Sequence, residues 1–241
     1  MQTNPIFERL ALLTGGKALE KFSETNVLIF GAGGVGSWAA EALVRSGIGK
    51  IGIVDNDTIF ASNVNRQLEA TSLTIGMPKA SSLKKRLLEI NPLCNITAFD
   101  EIFCLENADH FNIKEADYII DAIDSFNHKL DLIETAIKEN VILFSSMGMA
   151  LKKDPLLIKA ASIWKTDVCP LARRVRSGLK KRGFTGDFTA VYSSEHPAEN
   201  ASVTDAALNK TVNGSIITVT GTAGFLLASL VINHVISLTV E

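Results

Sequence analysis

The segment from Gly31 to Gly36 (GAGGVG) is rich in glycine. It follows a short apolar run and precedes a predicted helix. Gly31, Gly33 and Gly36 fit the spacing GxGxxG. Such glycines permit a tight turn and close backbone approach to a phosphate, which the N–H groups of the next helix can bind. Asp55 ends the next apolar run, where its carboxylate can accept hydrogen bonds from a ribose. The pattern indicates a nucleotide site, although such glycines can also serve helix–strand packing alone.

Two cations follow Asp55 closely in the sequence. Arg66 belongs to the run DNDTIFASNVNRQ, and Lys79 belongs to GMPKA. Arginine offers phosphate a planar fork of donors, and lysine offers a compact point charge. Each alone is typical of a solvated surface, but together they suit an enzyme that holds a triphosphate while a carboxylate attacks its α-phosphorus.

The sequence DAIDS, from Asp121 to Ser125, ends a further apolar run. Ligands of open α/β sheets bind beyond the carboxyl ends of the strands, so Asp124 is a candidate ligand for Mg²⁺. The alternative is that an Asp or Ser here caps the following helix.

Apolar strands alternate with helices in the first half of the chain. Strands are predicted at 26–30, 51–55, 118–124 and 141–146, and helices at 34–45, 79–90 and 130–138. This order predicts an α/β fold: a Rossmann-like, mostly parallel sheet with helices on both faces. We expect an ATP-binding core at 1–150.

The second half, 151–241, is expected to be a subregion that binds substrate and packs back on the core. It holds predicted strands at 156–163 and 188–194, a polar loop at 195–214, and a final strand (SIITVTG) followed by a helix (TAGFLLASLVINHVI). The apolar stretch 216–240 is long enough to span a membrane, but the buried strand–helix reading is preferred because no Lys or Arg cluster flanks it. Membrane contact is therefore not expected.

Composition sets the class of protein and its compartment. The 241 residues are 46% hydrophobic and carry a formal net charge of −2, as in a globular protein. The three cysteines, Cys94, Cys104 and Cys169, form no CxxC pair, so neither a disulfide framework nor a zinc site is expected. The expected absence of disulfides is consistent with a reducing compartment, so we expect a cytoplasmic location.

Taken together, these motifs resemble those of a known superfamily. The series GAGGVG, Asp55 and Asp57 as DxD, NxNRQ, GMPKA and DAIDS is similar to the E1-like (ThiF-type) enzymes that adenylate carboxylates. The resemblance covers about residues 5–150 and implies ATP and Mg²⁺ as ligands. It further implies a homodimer in which Arg9 reaches the partner subunit's ATP. The ATP site that it implies comprises Gly31, Gly33, Gly34, Gly36, Asp55, Asp57, Asn63, Arg66, Lys79 and Asp124.

A narrower resemblance extends over nearly the whole chain. The N-terminal FERLALLTGGKALEKF, DAIDSFNHK, PLARRVRSGLKKRG and the C-terminal TVNGSIITVTGTAGFLLASLVI resemble bacterial tRNA threonylcarbamoyladenosine dehydratases. This implies ATP-dependent cyclisation of the modified tRNA nucleoside. Cys169 stands where those enzymes usually have an acidic residue. It is interpreted as a small apolar residue, with a nucleophilic thiol as the alternative.

A basic helix at 170–183 is the candidate surface for tRNA. A solvated helix face is the usual meaning of such a run, but its charge stands out in a chain that is nearly neutral overall. Its cations are Arg173, Arg174, Arg176, Lys180, Lys181 and Arg182.

Three other functions stay open from sequence. The first is adenylation of the C-terminal glycine of a ubiquitin-like sulfur carrier, against which the missing CxxC pairs argue. It would imply a sulfur-relay or ubiquitin-like protein partner. The others are a module that binds ATP or tRNA without turnover, and a nicotinamide oxidoreductase.

Overall fold

A seven-stranded sheet organises the chain, and helices cover both of its faces. The computed structural model describes residues 4–199, 201–205 and 210–239. The strands of the sheet are β1 (Asn26–Phe30), β2 (Lys50–Val54), β3 (Asn95–Phe99), β4 (Tyr118–Asp121), β5 (Ile142–Ser146), β6 (Ile158–Ser162) and β7 (Thr189–Ser193). The helices are α1 (Glu8–Thr14), α2 (Gly16–Glu24), α3 (Gly36–Arg45), α4 (Lys79–Ile90), α5 (Phe126–Lys138), α6 (Pro170–Lys181) and α7 (Ile217–Ser237).

The strand order is β3-β2-β1-β4-β5-β7-β6. Every pairing in it is parallel except that of β6 with β7, which is antiparallel at the edge. The chain runs outward from β1 to β3 and then crosses to β4 on the other side of β1. This reversal makes the carboxyl ends of β1 and β4 a topological switch point, where open α/β sheets bind ligands. The predicted Rossmann-like α/β fold is confirmed.

Two apolar clusters, one on each face, fix the helices to the sheet. One buries Phe22, Leu43, Leu83 and Leu227 among the contacts of α2, α3, α4 and α7. The other buries residues of α5 and α6 beneath a group of phenylalanines around Phe30. Because both faces are covered, the central strands are mostly apolar, as the sequence indicated.

The predicted strand near residue 216 is wrong, because α7 is one continuous helix from Ile217 to Ser237. Its β-branched start favours a strand locally, but close packing on α3 decides the conformation. A Cβ on Gly224 would lie 2.9 Å from the Cβ of Trp38, so glycine is needed for the helices to meet. Propensity is a weak prior that tertiary contacts override.

The predicted polar loop at 195–214 is also wrong in part. It contains an antiparallel hairpin of β8 (Ser202–Asp205) and β9 (Lys210–Asn213). The domain boundary at residue 150 stays a prediction, and β6 and β7 from the second half lie in the same sheet as β1 to β5.

By length and composition α7 could cross a membrane, a property that it shares with the core helices of soluble proteins. Half of its most apolar window is buried against the rest of the chain.

Candidate active site

A cavity of about 440 Å³ opens at the switch point between β1 and β4. Its walls come from the glycine-rich loop after β1, the segments after β2 and β3, the turn after β4 with the start of α5, and one residue of α7. Lining residues relevant to the predicted chemistry are Gly31, Gly33, Gly34, Asp55, Asp57, Arg66, Gln67, Lys79, Glu101, Asp124, Ser125, His128 and Thr220. Segments far apart in sequence therefore supply phosphate-binding, cationic and acidic groups to one space.

The glycine-rich loop is shaped by close backbone packing. Gly31 has a φ of +94°, and a Cβ there would lie 2.6 Å from the carbonyl oxygen of Ala122. Gly36 begins α3, and a Cβ on it would collide with the carbonyl oxygen of Gly31. At the N-cap, Val35 makes no side-chain cap hydrogen bond with any described residue. The first turn of α3 therefore keeps N–H groups for an anion.

Asp55 ties two walls of the cavity together. Its Oδ2 accepts a hydrogen bond from the Ala32 N–H at 2.7 Å, and its Oδ1 accepts one from the Asp57 N–H at 2.9 Å. Burial raises the pKa of the Asp55 carboxyl, and the Lys79 ammonium and these hydrogen bonds oppose that rise. The carboxylate is thereby fixed at the end of β2, where the ribose of a nucleotide lies in folds of this kind.

The two predicted cations are already held in place. The Lys79 ammonium lies 2.7 Å from Asp57 Oδ2, with the Lys79 side chain 7% exposed and that of Asp57 59% exposed. The Arg66 guanidinium donates to the Ser62 carbonyl oxygen at 2.8 Å. The indole N–H of Trp38, on α3, donates to the Arg66 carbonyl oxygen at 2.9 Å. Burial lowers the pKa of Arg66, with Glu69 opposing. Both cations therefore need little reorganisation to meet a phosphate.

Two polar residues that we did not predict lie beside these cations. Gln67 is buried and lines the cavity, and its Oε1 has no hydrogen-bond partner among the described residues. Glu69 is 2% exposed, and neither carboxyl oxygen has such a partner within the same ranges. Burial raises the pKa of Glu69 to about 8, and the nearby Lys79 offsets part of that rise. Gln67 could have been predicted as a site residue because it directly follows Arg66 in the sequence. No comparable pattern in the sequence points to Glu69.

Asp124 lines the cavity on the turn between β4 and α5. It is exposed, as a residue that meets a ligand should be. Ser125, the N-cap of α5, makes no side-chain cap hydrogen bond in the described part of the chain. His128, one turn into α5, lines the same wall, and it was assigned no role from sequence.

Some predicted residues lie away from the cavity. Gly36 and Asn63 are not among its described lining residues, and the Asn63 side chain instead accepts a hydrogen bond from the Phe60 N–H. Arg9 is exposed on α1, outside the cavity. Cys169 is 1% exposed at the N-cap of α6, as expected of a small apolar residue.

The basic helix is α6, which packs against α5. Its cations differ in their surroundings: the Arg174 guanidinium lies 4.6 Å above the Phe126 ring, whereas Arg182 pairs with Asp131 at 2.6 Å and Glu134 at 2.7 Å. Phe126 follows Asp124 by two residues, so Arg174 lies beside the turn that lines the cavity.

This fold and cavity are those of a nucleotide-binding α/β protein, and comparison gives the family. The ThiF family model matches residues 7–240, so the chain belongs to the ThiF family. It is 41% identical over 191 residues to the tRNA threonylcarbamoyladenosine dehydratase of Bacillus subtilis, an alignment that covers 79% of this chain and 75% of that protein.

Solved structures agree over almost the whole length. The chain matches E. coli tRNA N6-threonylcarbamoyladenosine dehydratase in complex with ATP with a TM-score of 0.87 and 32% identity, covering 97% of this chain and 94% of that one. The AMP complex of the same E. coli enzyme matches with a TM-score of 0.86 and 33% identity, covering 95% and 93%.

Proposed function

We propose that this chain is an ATP-dependent enzyme that cyclises threonylcarbamoyladenosine in tRNA. The carboxylate of the threonylcarbamoyl group attacks the α-phosphorus of ATP and releases pyrophosphate. An internal nucleophile of the modified nucleoside then displaces AMP and closes the ring, so the nucleoside loses one water overall. The observation that carries the proposal is the cavity at the switch point, in a chain that matches over nearly its full length an enzyme solved with ATP and with AMP.

In this proposal the chain's own residues hold and polarise the triphosphate. The N–H groups that open α3 bind phosphate oxygens, and Asp55 accepts from the ribose. Arg66 and Lys79 lie across the cavity and stabilise the charge that grows on the phosphoryl group as the carboxylate attacks. Little covalent chemistry is asked of the protein, because positioning and fixed charge account for most catalysis of this type.

Asp124 is the proposed ligand for Mg²⁺. Magnesium is usually bound in proteins through one or two carboxylates together with substrate phosphates. Asp124 is exposed and lines the cavity, so one carboxylate is available to the ion beside the phosphates. The described residues contain no cluster of three acidic, His or Cys side chains that would hold a metal ion without the phosphates. When bound, the ion would offset negative charge on the phosphates.

The exposed cations of α6 are the proposed tRNA surface, within a substrate-binding subregion at 151–241. Arg174 is held over Phe126 beside the cavity, so a phosphate that it binds lies close to the reacting nucleoside. The charge of Arg182 is largely offset by its two carboxylate partners, and Arg176 donates to the Thr166 carbonyl oxygen at 3.0 Å. We therefore assign most of the contact to Arg173, Arg174, Lys180 and Lys181.

We further propose a homodimer in which Arg9 completes the partner's site. Arg9 lies on an exposed helix outside the cavity, so any role in catalysis has to be in another subunit. The tRNA substrate makes the cytoplasm the proposed compartment.

The test is mass spectrometry of tRNA nucleosides after incubation of the protein with ATP, Mg²⁺ and tRNA that carries threonylcarbamoyladenosine. The expected result is loss of one water from that nucleoside only when ATP is present. Asp124→Ala should abolish it, and Glu139→Ala, an exposed acid at the other end of α5, should not. Unchanged nucleoside with intact ATP binding would refute the proposal and direct the search to a protein C-terminus as the carboxylate.

The tRNA surface is tested separately by the salt dependence of tRNA binding. Each lost phosphate contact should weaken binding and reduce the slope of log affinity against log salt by about 1. We expect this for Arg174→Ala. The control is Lys85→Ala on α4. This helix packs into the other apolar cluster and therefore lies on the opposite face of the sheet from α6. Equal slopes for the two variants would exclude α6 as the surface.

A further inference from the structure

A buried ion pair lies beneath the turn that carries Asp124. The Lys129 ammonium is 2.6 Å from Asp121 Oδ2, and neither side chain is exposed at all. The same Oδ2 accepts from the Ser145 hydroxyl at 2.6 Å, and Asp121 Oδ1 accepts from the Ile123 N–H at 3.0 Å. Lys129 also donates to the Ser146 carbonyl oxygen at 3.1 Å. The network joins the ends of β4 and β5 to the first turns of α5.

Neither charge of this pair touches the cavity. Asp121 and Lys129 are absent from its lining residues, so they make no direct contact with a ligand there. Removing two charges from water is expensive, and apolar residues of similar volume often do as well or better for stability. The pair therefore calls for an explanation other than stability.

The position of the pair supplies that explanation. Ile123, whose N–H the Asp121 carboxylate holds, immediately precedes Asp124 in the turn. On its other side the turn rests on the glycine-rich loop, where a Cβ on Gly31 would be 2.6 Å from the Ala122 carbonyl oxygen. The turn is thus fixed from below by the ion pair and from the side by a backbone contact.

We propose that the Asp121–Lys129 pair is a positioning device that sets the β4–α5 turn and thereby the Asp124 carboxylate for adenylation. The inference rests on the proposed function, because it assigns these residues to the same reaction. Neither is a catalytic residue, since each acts through the turn. Displacement of a reacting group by about 1 Å can reduce turnover roughly 100-fold.

The test is a paired replacement, Asp121→Val with Lys129→Met, which removes both charges and leaves an apolar contact. A single Lys129→Met change would leave a buried carboxylate uncompensated and is expected to impair folding. For the paired variant we expect a cooperative urea transition and turnover per folded molecule roughly 100-fold below wild type.

Hydrogen exchange of the ligand-free protein gives a second readout that does not depend on activity. The amides of residues 122–125 should exchange faster in the paired variant, with the central strands unchanged. The matched control is Tyr118→Phe, which removes a hydrogen bond of 2.7 Å to His234 on the same strand but away from the turn. It should leave turn exchange and turnover as in wild type.

The outcomes separate this inference from the proposed function. Wild-type turnover per folded molecule in the paired variant, or unchanged exchange in the turn, would overturn the positioning role. An equal loss of turnover in Tyr118→Phe would overturn it too, because a general weakening of β4 would then suffice. Activity retained in Asp124→Ala would overturn the role of Asp124 and the positioning role with it, whereas an unchanged nucleoside with the wild-type protein would refute the proposed function itself.

Discussion

Glu69 makes the stability of this protein depend on pH in a predictable way. The residue is 2% exposed, and its carboxyl oxygens have no hydrogen-bond partner in the part of the chain that the structure describes. Burial raises the pKa of the carboxyl to about 8 from a reference value of 4.5. Lys79 opposes the rise, and Asp55 adds to it. The carboxyl is therefore protonated in the folded protein at neutral pH.

The direction in which stability changes with pH follows from the difference in proton binding between the folded and the unfolded chain. Below pH 4.5 both the folded and the unfolded chain are protonated at this residue, and the contribution to stability is fully present. Between pH 4.5 and 8 only the folded chain keeps the proton, so stability is lost as the pH rises through this window. From pH 5 to pH 7 the two pKa values give a loss of about 2–3 kcal/mol in the free energy of unfolding.

The assay is urea unfolding of wild type and Glu69→Gln at pH 5 and pH 7. Glutamine has the same shape and does not titrate, so the difference between the two proteins isolates Glu69 from every other ionising group. Wild type should lose about 2–3 kcal/mol more than the variant over this interval. Glu139→Gln, at an exposed position, should behave as wild type. Parallel pH dependence in wild type and Glu69→Gln would refute the assignment of a buried, protonated carboxyl.

Three further predictions concern the cavity and its completion. Gly31→Ala should lower Tm and abolish ATP binding because its Cβ meets the Ala122 carbonyl, whereas Gly15→Ala, at a similar φ of +82° with nothing within 4 Å, should show only backbone strain. Each kcal/mol of difference would shift Tm by about 2–4 °C in a differential scanning calorimeter. Lys79→Met should weaken the binding of ATP at least roughly tenfold, since a charged hydrogen bond is lost. Isothermal titration calorimetry measures this affinity, and an unchanged value would exclude Lys79 from the site. Arg9→Ala and Asp124→Ala should each be inactive and recover about a quarter of wild-type activity after subunit exchange, since half of the dimers then hold one intact site. No recovery despite exchange would exclude Arg9 from the partner's site.

Local patterns were enough to predict most of the sheet. β1, β2 and β4 are short apolar runs that each end in a motif of the candidate site, and period and context agree in the first 150 residues. The start of α7 shows where this reasoning stops. Ile217 to Thr220 favours a strand by composition, and the helix forms there because Gly224 lets α7 lie directly on α3. That contact joins segments about 180 residues apart, so no local window contains it.

The candidate site divides in the same way. The positions of Gly31, Asp55, Lys79 and Asp124 could be predicted because each follows the carboxyl end of a parallel strand or opens a helix, and such ends meet at one edge of the sheet. Thr220 lines the cavity from α7, which only the folded chain brings there. The Asp121–Lys129 pair could not be predicted from the sequence for another reason. A lysine within an amphipathic helix is usually solvated, and only the structure shows that this one is fully buried.

The charge of the cavity wall bears on what has to enter together with ATP. Four carboxylates line it, those of Asp55, Asp57, Glu101 and Asp124, against the two cations Arg66 and Lys79. One of those cations is already paired, because Lys79 lies 2.7 Å from Asp57. A bare triphosphate would therefore meet a wall with excess negative charge. A divalent cation bound together with the triphosphate would offset that repulsion, and the exposed Asp124 carboxylate is the residue proposed to hold it. Under the proposed function ATP would therefore enter as its magnesium complex, and the position of the turn after β4 would then matter as much as that of the glycine-rich loop.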